Sequence, residues 1–133
     1  MRNTSEKTAI KLHIFDMDGT LLDSMRMWDN ISSDYLRTKG IEPPENLASI
    51  LDPMTFPEVC SYLAVNWNLG SPETVSREIA RFLDHQYEEV LQLFPDAMDI
   101  IREAEKDKCF RVILSNSSSH QVVAAMGRLG ILD

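Results

Sequence analysis

Two carboxylates two residues apart, Asp16 and Asp18, stand directly after a short apolar run, Leu12 to Phe15. The run reads as a buried strand, and alternate residues of an extended chain share a face, so both carboxylates can turn toward one ligand. Gly19 then supplies backbone freedom for a sharp exit, and Thr20 adds a hydroxyl and an amide. A strand ending this way sits where open α/β sheets bind ligands, outside the carboxyl ends of their strands. Mg²⁺ wants oxygen donors and takes one or two carboxylates with waters and phosphate oxygens. A carboxylate beside such a cation can attack a phosphate, and a second can carry the proton of the leaving group.

Two plainer readings compete. Asp-x-Asp-Gly also occurs in helix-flanked calcium loops, but Ile14 and Met25 would then fill the first and twelfth ligand positions. Neither offers a carboxylate or an amide oxygen. An acidic β-turn with no ligand is the other alternative. Asp16-Met17-Asp18-Gly19-Thr20-Leu21 after an apolar strand resembles the first motif of the haloacid dehalogenase superfamily of phosphohydrolases and phosphomutases. The resemblance implies Asp16 as nucleophile, Asp18 as general acid/base and Gly19 among the phosphate-binding residues. It also implies Mg²⁺ held by the Asp16 side chain and the Asp18 backbone carbonyl.

The elements around this stretch follow from periodicity. Met25, Trp28, Ile31, Tyr35 and Leu36 fall at helical spacings, and Gly40 closes that helix. Trp28 and Met25 could reach the mouth of the site, although aromatics at helical spacing more often serve a core. Leu47, Ile50 and Leu51 mark a short turn or helix. Thr55 caps a further helix carrying Phe56, Val59, Leu63 and Trp67 and ending at Gly70. Ser71-Pro72-Glu73 starts a helix running to about Leu93, with Val75, Ile79, Phe82 and Val90 on one face. His85 reads as a surface residue. A helix from Ala97 to Lys106 precedes a second strand, Phe110 to Leu114, and a last helix uses Val122, Val123, Met126 and Leu129.

Strand, helices, strand, helix implies an α/β fold with two parallel neighbours. Parallel pairing puts Ser115 at the same sheet edge as Asp16 and Asp18. The run Ser115-Asn116-Ser117-Ser118-Ser119 either caps the following helix or cradles a phosphate at its N-terminus. Ser115 also resembles the second motif of the same superfamily, and Asn116 a frequent follower, which implies phosphate binding by both. The helical stretch between the motifs resembles the cap of the subfamily that includes phosphoglycolate phosphatase and β-phosphoglucomutase. The implied organisation is an incomplete Rossmann-like parallel core, residues 1–22 and 95–133, with an all-helical cap inserted at 23–94.

The third motif, a Lys or Arg past another strand, and the fourth, an acidic pair, have no counterpart here; Lys106 and Lys108 precede the second strand and read as solvated. The resemblance is thus truncated after the second motif. It implies a phosphohydrolase acting on a small phosphorylated metabolite through an aspartyl-phosphate, weak or inactive in these 133 residues. A phosphomutase, or a non-catalytic remnant binding phosphate or a partner chain, is the alternative. A net charge of −8 argues against nucleic-acid or anionic-membrane partners. No apolar run reaches membrane-spanning length, Met1 to Thr8 lacks an apolar signal core, and Cys60 and Cys109 have no metal-type spacing. A cytoplasmic protein with free thiols is expected, and an incomplete core is expected to self-associate through its open edge.

Overall fold

The computed structural model describes residues 11–132; the polar stretch Met1 to Thr8 lies outside them. β1 (Leu12–Asp16) and β2 (Phe110–Leu114) pair in parallel, in register from Leu12 opposite Phe110 to Asp16 opposite Leu114. Between them run α1 (Met25–Thr38), α2 (Leu47–Leu51), α3 (Phe56–Trp67), α4 (Pro72–His85) and α5 (Ala97–Glu105). α6 (Ser119–Arg128) follows β2. This is the expected mixed α/β fold with a parallel pair.

Two apolar clusters organise these elements. One joins Met17, Leu21 and Leu22 to Ala97 and Ile101 of α5 and Ala125 and Met126 of α6, with Phe15 and Ile113 packed against it. The other lies wholly among α1 to α4, around Tyr35, Leu36, Leu63, Val75 and Ile79. Leu83 of α4 packs against both. The chain leaves the first cluster and returns to it at neighbouring points: the Asp23 amide donates to the Gln92 carbonyl and the Phe94 amide to the Leu21 carbonyl, both at 2.9 Å. Among the described residues, only one face of the strand pair is covered. Leu12, Ile14, Phe110, Val112 and Leu114 are all exposed, Ile14 by 59% and Phe110 by 70%.

Local chemistry sets the helix starts. Thr55 and Glu58 form a reciprocal capping box at α3, and the Ser71 hydroxyl accepts from the Thr74 amide at α4, with Pro72 as its first residue. Two ends differ from expectation. α3 stops at Trp67 and turns through Asn68 at φ 51°, not at Gly70, because asparagine tolerates the left-handed conformation nearly as glycine does. α4 does not run on to Leu93; its α-helical turns end at His85 and a π turn spans Gln86–Val90, closed by the Leu91 amide on the Gln86 carbonyl. The wider turn carries Tyr87 and Leu91 inward and leaves Val90, expected on the apolar face, 47% exposed. Cys60 and Cys109 are unpaired thiols.

Within the helical cluster the buried Tyr35 donates its hydroxyl to Glu78 at 2.6 Å, and Lys39 pairs with the same carboxylate at 2.8 Å. The Lys39 and Tyr35 hydrogen bonds hold the Glu78 carboxyl below its ordinary value of 4.5. A depressed folded value means that this contribution is complete above pH 4.5 and is lost as pH falls through the lowered value. Glu78→Ala is expected to cost about 1–3 kcal/mol in urea denaturation at neutral pH, because it strands the Tyr35 hydroxyl. Its unfolding free energy should also fall less steeply below pH 4.5 than that of the unaltered protein.

Candidate active site

The turn after β1 is built on one carbonyl. The amides of Thr20, Leu21 and Leu22 all point at the Met17 oxygen, at 3.3, 3.0 and 2.9 Å, while the Met17 side chain is fully buried. So tight a turn needs Gly19, at φ 76°; a Cβ there would stand 2.9 Å from Met25 Sδ. The strand ends at Asp16, so the alternation of side chains does not carry on to Asp18, and the two carboxylates have different surroundings.

Asp16 is exposed, and its Oδ2 accepts from the Thr20 hydroxyl at 2.8 Å. It lines a groove of about 320 Å³ together with Ile14, Leu114, Ser115 and Asn116. Parallel register makes this happen: Asp16 lies opposite Leu114, and Ser115 and Asn116 are the next two residues. Capping does not explain these two. Ser118 caps α6 in a reciprocal box with Gln121, and Ser115 Oγ instead accepts from the Ser117 amide at 3.0 Å.

Asp18 is held by three hydroxyls. Ser24 and Tyr87 donate to its Oδ1 at 2.7 and 2.8 Å, and Ser117 donates to its Oδ2 at 2.7 Å. Trp28 Nε1 donates in turn to the Tyr87 oxygen at 3.2 Å, so Trp28 serves this network and is not a core residue. Burial, and then the hydrogen bond to Asp18 and its charge, push the Tyr87 hydroxyl up to about 12, partly offset by the neighbouring Ser117 hydroxyl and the Trp28 Nε1–H. Tyr87 therefore keeps its proton and acts as a donor to Asp18 across the neutral range.

Ser24, Tyr87 and Ser117 are not among the expected site residues. Ser24 and Ser117 carry no periodic signal. Tyr87 does: Val75, Ile79, Leu83 and Tyr87 recur every four residues, whereas the expected face runs through Phe82 and Val90. A larger cavity of about 500 Å³, between α3 and α4, is lined by Phe56, Cys60, Ser76 and Arg77 among others and by none of the expected site residues.

Fold and site together define an α/β protein with a carboxylate delivered at a parallel strand end. The family described as haloacid dehalogenase-like hydrolase matches residues 14–133, and the chain belongs to it. No curated protein sequence matches the chain. Among solved structures it is similar to a protein from Thermotoga maritima assigned as a β-phosphoglucomutase, with 16% identity and a TM-score of 0.75 over 92% of this chain. A predicted phosphoglycolate phosphatase from Haemophilus somnus aligns over 92% with 16% identity and a TM-score of 0.62. A protein from Bacillus subtilis assigned as a HAD-hydrolase, bound to magnesium, aligns over 92% with 19% identity and a TM-score of 0.64. The chain spans 57%, 58% and 61% of these three.

The Tyr87–Asp18 hydrogen bond should be measurable as a coupling. In a double-mutant cycle of Tyr87→Phe and Asp18→Asn, followed by urea denaturation, the interaction energy is expected to be about 1–3 kcal/mol. Additive effects of the two substitutions would mean that the hydroxyl does not hold this carboxylate.

Proposed function

We propose that the site carries out phosphomonoester hydrolysis through an aspartyl-phosphate on Asp16, on a small phosphorylated metabolite. The observation that carries this reading is the shared groove: an exposed carboxylate stands with Ser115 and Asn116 at the ends of adjacent strands. Asp16 attacks phosphorus, the P–O bond to the alcohol breaks, and the alcohol takes a proton from Asp18. Water then attacks phosphorus and gives its proton back to Asp18, the bond between phosphorus and the Asp16 oxygen breaks, and phosphate leaves with the Asp16 carboxylate restored. Ser115 and Asn116 hold the phosphate oxygens, and Gly19 keeps the approach to them free of a side chain.

The hydroxyl network suits a residue that alternates between two protonation states. Three donors match an ionised Asp18. The Tyr87 and Ser117 hydroxyls lie 3.1 Å apart, and either can be the donor between them. If Ser117 turns its proton to Tyr87, its oxygen is free to accept from a protonated Asp18. One rotated hydroxyl therefore accommodates the change.

Mg²⁺ fits the donors present. Asp16 offers an exposed carboxylate, and no backbone amide among the described residues is bonded to the Asp18 carbonyl. These two oxygens would hold the ion, whose charge would lower the repulsion between carboxylate and phosphate. Residues 23–94 would act as a cap, since α1 to α4 bury a cluster of their own around Tyr35, Leu63 and Ile79, with only Met27, Tyr87 and Leu91 buried in that of the core, and both their ends meet at one point. Transfer of the phosphoryl group to a sugar hydroxyl is the second reading. It shares the first half-reaction, and the similarity to the Thermotoga maritima protein favours keeping it.

The test is hydrolysis of an aryl phosphate with Mg²⁺. No Lys or Arg lines the Asp16 groove among the described residues, so turnover by these 133 residues should be slow. Asp16→Asn should abolish it, and Asp18→Asn should reduce it by about 10²–10⁴-fold. Activity that survives Asp16→Asn would assign the chemistry to another group.

A further inference from the structure

At the opposite end of the strand pair from Asp16, three metal-binding side chains meet. His13 projects from β1, and Asp107 and Cys109 come from the turn that enters β2. Their ligand atoms lie within 4.8 Å of one another, and His13 Nε2 is 2.9 Å from Asp107 Oδ2. We propose that His13, Asp107 and Cys109 form a Zn²⁺ site that joins the amino-terminal ends of the two strands.

The donor set selects the ion. One imidazole, one thiolate and one carboxylate suit the borderline-soft Zn²⁺ and are a poor match for Mg²⁺, which wants oxygen alone. Cys109 is a free thiol, partly exposed, and binds as the thiolate with loss of its proton to solvent. A His–Asp surface pair accounts for two of these residues but leaves the thiol beside them without a role.

The site is accessible and adjustable. The His13 and Asp107 side chains are 36% and 59% exposed. They line a groove of about 310 Å³ with Phe15, Ile100, Glu103 and Ala104. The His13 ring stacks near Phe15, with centroids 6.2 Å apart, which limits its orientation. Tetrahedral bonds of about 2.0–2.3 Å place ligand atoms about 3.5 Å apart. Spacings as wide as 4.8 Å therefore have to close by about 1 Å while the His13–Asp107 pair opens from 2.9 Å, both within reach of exposed side-chain rotations. Water or Glu103 completes the fourth position. Glu103 now pairs with Lys106, which it would have to leave.

The site is separate from the Asp16 groove and does not depend on the proposed hydrolase reading. It is tested on the 133-residue chain by titration with Zn²⁺ in excess Mg²⁺, and by Co²⁺ as a spectroscopic probe. One Zn²⁺ per chain is expected, and Co²⁺ should give the near-ultraviolet band of a thiolate-bound ion. Cys109→Ser should abolish the band, and it and His13→Gln should each weaken Zn²⁺ binding by about tenfold or more. Cys60→Ser and Asp16→Asn should change neither reading. Absence of the band, or binding that persists in Cys109→Ser, would overturn the proposal. If Cys109→Ser fails to fold by circular dichroism, Zn²⁺ protection of Cys109 from iodoacetamide in the unaltered chain decides the matter, and unchanged alkylation overturns it.

Discussion

A partly buried carboxylate has to find donors, and the fold of this chain closes around that requirement at Asp18. Its three hydroxyl partners are 6, 69 and 99 residues away in sequence. They come from the start of α1, the π turn after α4 and the loop after β2. Ser24 and Tyr87 are fully buried, so both hydroxyls depend on partners within the protein. Stranding a charge at such a position costs far more than the net gain of any one hydrogen bond. The three segments are therefore held to one point by a penalty for leaving it.

The π turn is what lets α4 take part. It brings the Tyr87 hydroxyl to Asp18, and α6 ties the turn down from the other side. Gln121 donates to Asp84, His120 pairs with Glu88, and the Arg128 guanidinium donates to the Tyr87 and Leu91 carbonyls. The last two bonds serve carbonyls at the end of a helix, which have no further turn to accept from. The segment between the helical cluster and the core is thus held through both backbone and side chains. Any movement of the helices relative to the core would have to act on the same hydroxyl that orients Asp18.

The legibility of the sequence follows the range of the interactions. Both strands, the Thr55 and Ser71 caps and the need for Gly19 are local, and each was readable from a few neighbouring residues. Asp16, Ser115 and Asn116 were placed in one groove by a single topological inference, that two strands run parallel side by side. The differences fall at two helix ends. Asn68 and Gly70 can both adopt positive φ, and α4 can end in an α turn or a π turn. Ser24, Ser117 and Tyr87 are not matched to Asp18 by pattern because hydrogen bonds across 6, 99 and 69 residues follow no helix or strand period.

The open face of the strand pair bears directly on the site. Leu12, Ile14 and Asp16 point to one side of β1, and Phe110, Val112 and Leu114 are their partners in β2. Parallel sheets are normally covered on both faces, and here α5 and α6 cover only the face that carries Phe15 and Ile113. Ile14 and Leu114 are part of this bare apolar surface and also line the groove that holds Asp16. The bare surface and the groove are therefore continuous. Anything that packs on Ile14 and Leu114 removes water from one side of the Asp16 carboxylate and strengthens every charge–charge interaction there. For this chain, completing the hydrophobic cover of the sheet and setting the electrostatics of the Asp16 carboxylate are one structural event.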